Sequence, residues 1–150
     1  MKDKIAIGCD HAGFVLKTAL IEYLKNNEYE VIDLGTNSEE EQVDYPDYAK
    51  LVGKEVGNGN AKYGILICGT GIGISISANR MPKIRAALCY ETKLATLARE
   101  HNDANILVLG GRIIAPQKAI WILEEFLNTK FSNRHQQRVE KIELGDIKNV

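Results

Sequence analysis

Five apolar runs of about strand length, at residues 4–9, 29–34, 63–68, 85–89 and 106–109, are each followed by a turn and then by a stretch with helical spacing. This alternation restricts the chain more than any other feature. Strands buried on both faces read as continuous apolar runs, and strands joined through helices have to lie parallel. After the first run, Val15, Leu16, Ala19, Leu20, Tyr23 and Leu24 form one apolar stripe that Asn26 and Asn27 terminate. After the second, Pro46 suits a first helical turn, and Tyr48, Leu51, Val52 and Val56 form the next stripe. Later helices are expected over 72–79, 92–99 and 116–127. The pattern predicts an α/β fold, a doubly wound five-stranded parallel sheet with helices on both faces.

Two segments fall outside the alternation. The polar stretch 35–42 is expected to be a surface loop. The tail from residue 132 carries Arg134, Arg138 and Lys141 at helical spacing with Val139 and Ile142, which predicts a short terminal helix that docks on another surface. No internal repeat or linker interrupts the chain, so a single domain over 1–150 is expected.

Composition narrows the function classes. With 19 Lys and Arg against 20 Asp and Glu, the net charge is −1, and no basic cluster supports nucleic-acid binding. The longest apolar stretches are far too short to span a membrane, and the first residues open no signal-peptide pattern. A cytoplasmic enzyme or binding domain is expected. A chain of 150 residues buries roughly two-thirds of its unfolded surface, enough to need no disulfide or structural metal. Cys9, Cys68 and Cys89 are odd in number and widely spaced, His11, His101 and His135 are far apart, and no CxxC or HxxxH exists. Neither a disulfide framework nor a metal site is expected.

In an open parallel sheet, ligands bind at the carboxyl ends of the strands, so the residues just after each apolar run matter most. The first run leads into Cys9-Asp10-His11, the third into Cys68-Gly69-Thr70-Gly71-Ile72-Gly73, and the fifth is followed by Arg112. Three glycines in five residues let backbone N–H groups turn inward, and the helix that follows adds its positive end, which together suit an anion or oxyanion. A dinucleotide fingerprint fits worse, because its third glycine would fall at Ile74 and the loop follows the third strand. A thiol phosphatase loop would need arginine at the same position, Ile74. Cys68 beside a helix amino end is expected to have its thiolate favoured and is a candidate base. Cys9 and Cys89 are expected to fill the core. His11 and His101 are expected along the same sheet edge as Cys68, each either catalytic or a hydrogen-bonded structural residue. Arg134 and Arg138, four apart, suit a phosphate held by fork-shaped hydrogen bonds, or else form a solvated basic face.

Taken together, CDHAGF from Cys9, DYPDYA from Asp44, ICGTGIGISISAN from Ile67, REHNDAN from Arg99, GGR from Gly110 and NRHQQRV from Asn133 resemble ribose-5-phosphate isomerase type B, in order and over nearly the whole chain. The resemblance implies a three-layer, Rossmann-like fold and interconversion of ribose 5-phosphate and ribulose 5-phosphate without metal or cofactor. It further implies a homodimer, or a dimer of dimers, whose active sites are shared between subunits. By the same resemblance Cys68 moves the proton between C1 and C2, with Thr70 in the catalytic set and Gly69, Gly71, Ile72 and Gly73 in the loop that holds the enediolate. His101 would open the sugar ring. Asp10, His11, Tyr45 and Asn102 would bind the sugar, and Arg112, Arg134 and Arg138 its phosphate. One branch of the family carries a glutamate base where Ile74 stands, which places this sequence with the cysteine branch. Galactose-6-phosphate isomerase subunits are similar but generally lack the pair present here as His101 and Asn102. An allose 6-phosphate activity, and a non-catalytic phosphosugar-binding module, remain alternatives.

Overall fold

A computed structural model describes residues 2–143. The strands are β1 (Lys4–Cys9), β2 (Glu30–Asp33), β3 (Tyr63–Cys68), β4 (Ala86–Leu88) and β5 (Ile106–Gly110), and the helices are α1 (Phe14–Asn26), α2 (Tyr45–Gly57), α3 (Ile72–Ala78), α4 (Thr92–Asn102), α5 (Pro116–Asn128) and α6 (Gln136–Glu143). All strand pairings are parallel, in the order β2-β1-β3-β5-β4. The expected doubly wound α/β sheet is therefore the observed one.

Strand alternation splits the core by face. Ile5, Ile7, Cys9, Ile65, Ile67, Leu107 and Leu109 point toward α1, α4 and α5, where they meet Leu16, Leu20, Ala95, Ile122 and Phe126. Ala6, Leu66, Cys68, Ile106 and Val108 point the other way, toward α2 and α3, and meet Val52, Val56, Ile74 and Ala78. The chain leaves β1 toward one edge of the sheet and leaves β3 toward the other. That reversal opens a crevice between the carboxyl ends of β1 and β3, the switch point at which doubly wound sheets bind ligands.

The polar stretch 35–42 differs in part from the surface loop expected. Gly35 and Thr36 are buried, because they continue the pairing of β1: Cys9 N–H donates to the Gly35 carbonyl at 2.8 Å, and Thr36 N–H donates to the Cys9 carbonyl at 2.9 Å. Lys17 is a second departure. It lies within the core face of α1 with 1% of its surface exposed, and its Nζ reaches Asp33 Oδ1 at 2.6 Å, so the buried charge is paired where β2 ends.

The terminal helix is present as α6, entered through a 3-10 turn at Asn133–His135. The described part of the tail rests on its own chain, with Ser132 N–H donating to the Glu100 carbonyl at 2.9 Å. Residues 144–150 of the expected docking tail lie outside the described residues. Among the described residues no helix is long and apolar enough to cross a membrane.

Candidate active site

β3 ends at Cys68, and the chain then reverses through Gly69-Thr70-Gly71 into α3. Gly71 adopts φ +85°, and a Cβ there would lie 2.5 Å from Leu88 Cδ1, so only glycine fits the turn. The turn aims Gly71 N–H at Cys68 Sγ, 3.2 Å away. Ile72 N–H donates to Thr70 Oγ1 at 3.1 Å, and the Thr70 hydroxyl hydrogen has no acceptor among the described residues. Thr70 and Ile72 are exposed at the tip, whereas Cys68 is only 5% exposed, at the bottom of the crevice. The loop is clamped from β5: Gly111 N–H donates to the Cys68 carbonyl at 2.8 Å and Arg112 N–H to the Gly69 carbonyl at 3.0 Å. The Arg112 side chain lies over Gly69, with Nη1 3.4 Å from where a Cβ would stand there.

The β1 side of the crevice supplies Asp10 and His11. Asp10 is buried, and its Oδ1 accepts Ala12 N–H at 3.0 Å as the cap of a 3-10 turn at His11–Gly13. His11 Nδ1 accepts Val43 N–H at 3.2 Å, so a neutral ring carries its proton on Nε2. Val43 leads into Tyr45 at the start of α2, and the Tyr45 ring packs on Gly73, within 2.7 Å of a Cβ position there. Cys68, Gly69, Thr70, Gly71, Ile72, Gly73, Asp10, His11, Tyr45 and Arg112 are therefore gathered at one edge. Cys9 and Cys89 stand apart as core thiols, each pushed up to about 12 by burial.

His101 and Asn102 are not at that edge, contrary to the sequence expectation that His101 follows the same edge as Cys68. The reason is directional: α4 starts beyond β4 at the carboxyl edge and runs back to the start of β5, so its last two residues lie at the amino edge. There the His101 ring meets His135, with centroids 4.4 Å apart at a 40° tilt. The two histidines, with Asn102, Arg138, Val139 and Ile142, line a cavity of about 320 Å³. Arg138, in that lining, and Arg134 are both exposed. His135 is buried, and its Nδ1 lies 3.5 Å from Arg138 Nη1. Desolvation, and then the charges of Arg134, His101 and Arg138, hold His135 below the ordinary imidazole value against the opposing pull of Glu100. The sequence left His135 between a structural and a phosphate-adjacent reading. Its place three residues before Arg138, on the same helical face, is the signal that the sequence offered.

One chain thus carries two clusters of candidate site residues at opposite edges of its sheet. The carboxyl edge offers a thiol, oriented amides and the side chains of Asp10, His11, Tyr45 and Arg112. The amino edge offers imidazoles and two arginines.

A family model described as ribose/galactose isomerase matches residues 5–142. The chain is similar to ribose-5-phosphate isomerase B of Escherichia coli, 49% identical over 140 residues and 93% of each chain. It is also similar to a putative sugar phosphate isomerase of Bacillus subtilis, 45% identical over 98% of this chain and 99% of that one. Among solved structures, a ribose-5-phosphate isomerase B from Clostridium thermocellum superposes with a TM-score of 0.93 at 47% identity, covering 98% of this chain and 99% of that one. A type B ribose 5-phosphate isomerase from Trypanosoma brucei superposes with a TM-score of 0.91 at 45% identity, covering 97% and 100%.

Proposed function

This chain belongs to the ribose/galactose isomerase family, and we propose that its active site forms where the carboxyl edge of one copy meets the amino edge of a second. The chain is an aldose-ketose isomerase that interconverts ribose 5-phosphate and ribulose 5-phosphate. We place this work in the pentose phosphate pathway of the cytoplasm. The observation that carries the mechanism is the Cys68 sulfur held under Gly71 N–H at the switch point.

The cyclic sugar has to open first. His101 of the second copy protonates the ring oxygen as the anomeric hydroxyl gives its proton to solvent water, yielding the open aldehyde. The Cys68 thiolate then removes the C2 proton, and negative charge develops on the sugar oxygens. N–H groups of the glycine loop and the first turn of α3, already in place, stabilise that charge without reorganising. The Thr70 hydroxyl donates to the same oxygens. The Cys68 thiol returns the proton to C1, and one proton moves from O2 to O1, which leaves the ketose. Asp10, His11, Tyr45 and Asn102 orient the sugar. Arg112, with Arg134 and Arg138 of the second copy, holds the phosphate by charge-assisted hydrogen bonds. Pairing of the two edges makes a homodimer the smallest active unit.

The test is conversion of ribose 5-phosphate to ribulose 5-phosphate, with and without a metal chelator, by the parent and by Cys68→Ala. The parent is expected to turn over equally in both conditions. Cys68→Ala is expected to be inactive while still binding substrate, because the thiolate acts on a carbon-bound proton and not on the phosphate. Activity of the variant within a few-fold of the parent refutes the assignment.

A further inference from the structure

The N–H that reaches the Cys68 sulfur belongs to the peptide joining Thr70 to Gly71, and the other end of that same peptide is also engaged. The Tyr90 hydroxyl donates to the Thr70 carbonyl oxygen at 2.6 Å, while Gly71 N–H donates to Cys68 Sγ at 3.2 Å. One planar unit therefore links a tyrosine hydroxyl to the candidate base.

The unit needs fixing. With Gly71 at φ +85°, the plane can flip by paired rotations on either side of it, and glycine tolerates both orientations of the turn. A flip would turn the N–H away from the sulfur and the carbonyl toward it. The surroundings limit sideways movement, since the Thr70 oxygen lies 2.7 Å from where a Cβ on Gly110 would stand. They supply no second donor to that oxygen among the described residues. Tyr90 follows β4, and its ring is partly buried against the core beneath α1, α4 and α5, so the hydroxyl is delivered from a fixed platform. A hydrogen bond to a peptide oxygen also polarises the group and strengthens its N–H as a donor.

We propose that Tyr90 is a positioning residue for Cys68, its hydroxyl locking the Thr70–Gly71 peptide so that the Gly71 N–H stays on the sulfur. This rests on Cys68 being the base, and the test separates the two ideas. Tyr90→Phe removes the hydroxyl and keeps the ring. It is expected to lower kcat roughly 3- to 10-fold, as loss of one neutral hydrogen bond of ordinary strength allows, with KM within about twofold, because the amides that face substrate are untouched. Alkylation of Cys68 by iodoacetamide at pH 7, with Cys68→Ala as the blank, is expected to slow by a similar factor. Alkylation needs no substrate, so it decides the Tyr90 link even if the parent fails to isomerise ribose 5-phosphate. An unchanged alkylation rate overturns the proposal, as does a rise in KM at constant kcat, which would mean that the loop merely sags. Should Tyr90→Phe not fold, 3-fluorotyrosine at position 90 keeps the ring and strengthens the donor. Faster alkylation of Cys68 is then expected, and an unchanged or slower rate overturns the proposal.

Discussion

Two proposed half-sites at opposite edges of one sheet give a sharp test by subunit mixing. Cys68→Ala removes the proposed base from the carboxyl edge, and His101→Asn removes the proposed acid from the amino edge. Each variant alone is expected to lose on the order of 100-fold or more, the least that a positioned acid or base contributes. If the chains exchange freely at equal concentration, about half of the dimers are mixed, and symmetry gives each mixed dimer two sites of opposite fate. One site takes Cys68 from the His101→Asn chain and His101 from the Cys68→Ala chain, so it is intact. The other is doubly defective. One site in two, in half of the dimers, restores about a quarter of parental activity per chain, far above the sum of the two variants. The assay is ribulose 5-phosphate formation after subunit exchange, with mixed dimers counted by native mass. Mixed dimers without recovered activity would refute the shared site and would require Cys68 and His101 to work within one chain despite lying at opposite edges.

Three further outcomes are expected. In His101→Asn, proton exchange at C1 of ribulose 5-phosphate should exceed conversion to ribose 5-phosphate, since exchange needs no ring chemistry; equal losses in both would remove the ring-opening role. Asp33→Ala should leave the buried Lys17 ammonium unpaired and destabilise the fold by about 2 kcal/mol, discounted because Asp33 is partly exposed. That is roughly 4 to 8 °C in Tm, and a melt within a degree of the parent would contradict it. Because His135 is held below its ordinary value, the folded state binds fewer protons than the unfolded chain. Its stabilising share is present above a pH of about 6.5, the unfolded imidazole value, and is lost as pH falls below it. Thermal melts from pH 8 to 5 should therefore fall less steeply for His135→Asn than for the parent, and parallel curves would count against the shift.

The fold was legible because its signals repeat. Each strand is a short apolar run, each helix carries a stripe, and the two together allow little besides a parallel sheet. What escaped was decided by contacts between distant residues. Lys17 reads as a polar residue on a helix, and only the position of Asp33 at the end of β2 makes its burial tolerable. Gly35 and Thr36 read as loop, yet they extend the pairing of β1 because β2 stops at Asp33 and the chain continues alongside Cys9.

The site was legible in its residue types but not in its arrangement. The glycine loop announces itself as a turn that can aim N–H groups inward, and the structure places one of them on Cys68. Tyr90 could not be found from spacing, because the bond from its hydroxyl to the Thr70 carbonyl joins residues that follow different strands. His101 was recoverable and was misplaced. Eleven residues of α4, at about 1.5 Å per residue, carry the chain roughly 16 Å from the carboxyl edge back toward the start of β5. Any residue at the end of a crossover helix has to lie at the edge opposite the one that binds ligand. In the proposed mechanism an acid there reaches the thiol at the other edge from a second copy, and the same applies to Arg138, whose helix follows a segment bonded to the end of α4. If the proposed shared site holds, the direction of one helix is the physical reason that catalysis by this chain would depend on its association.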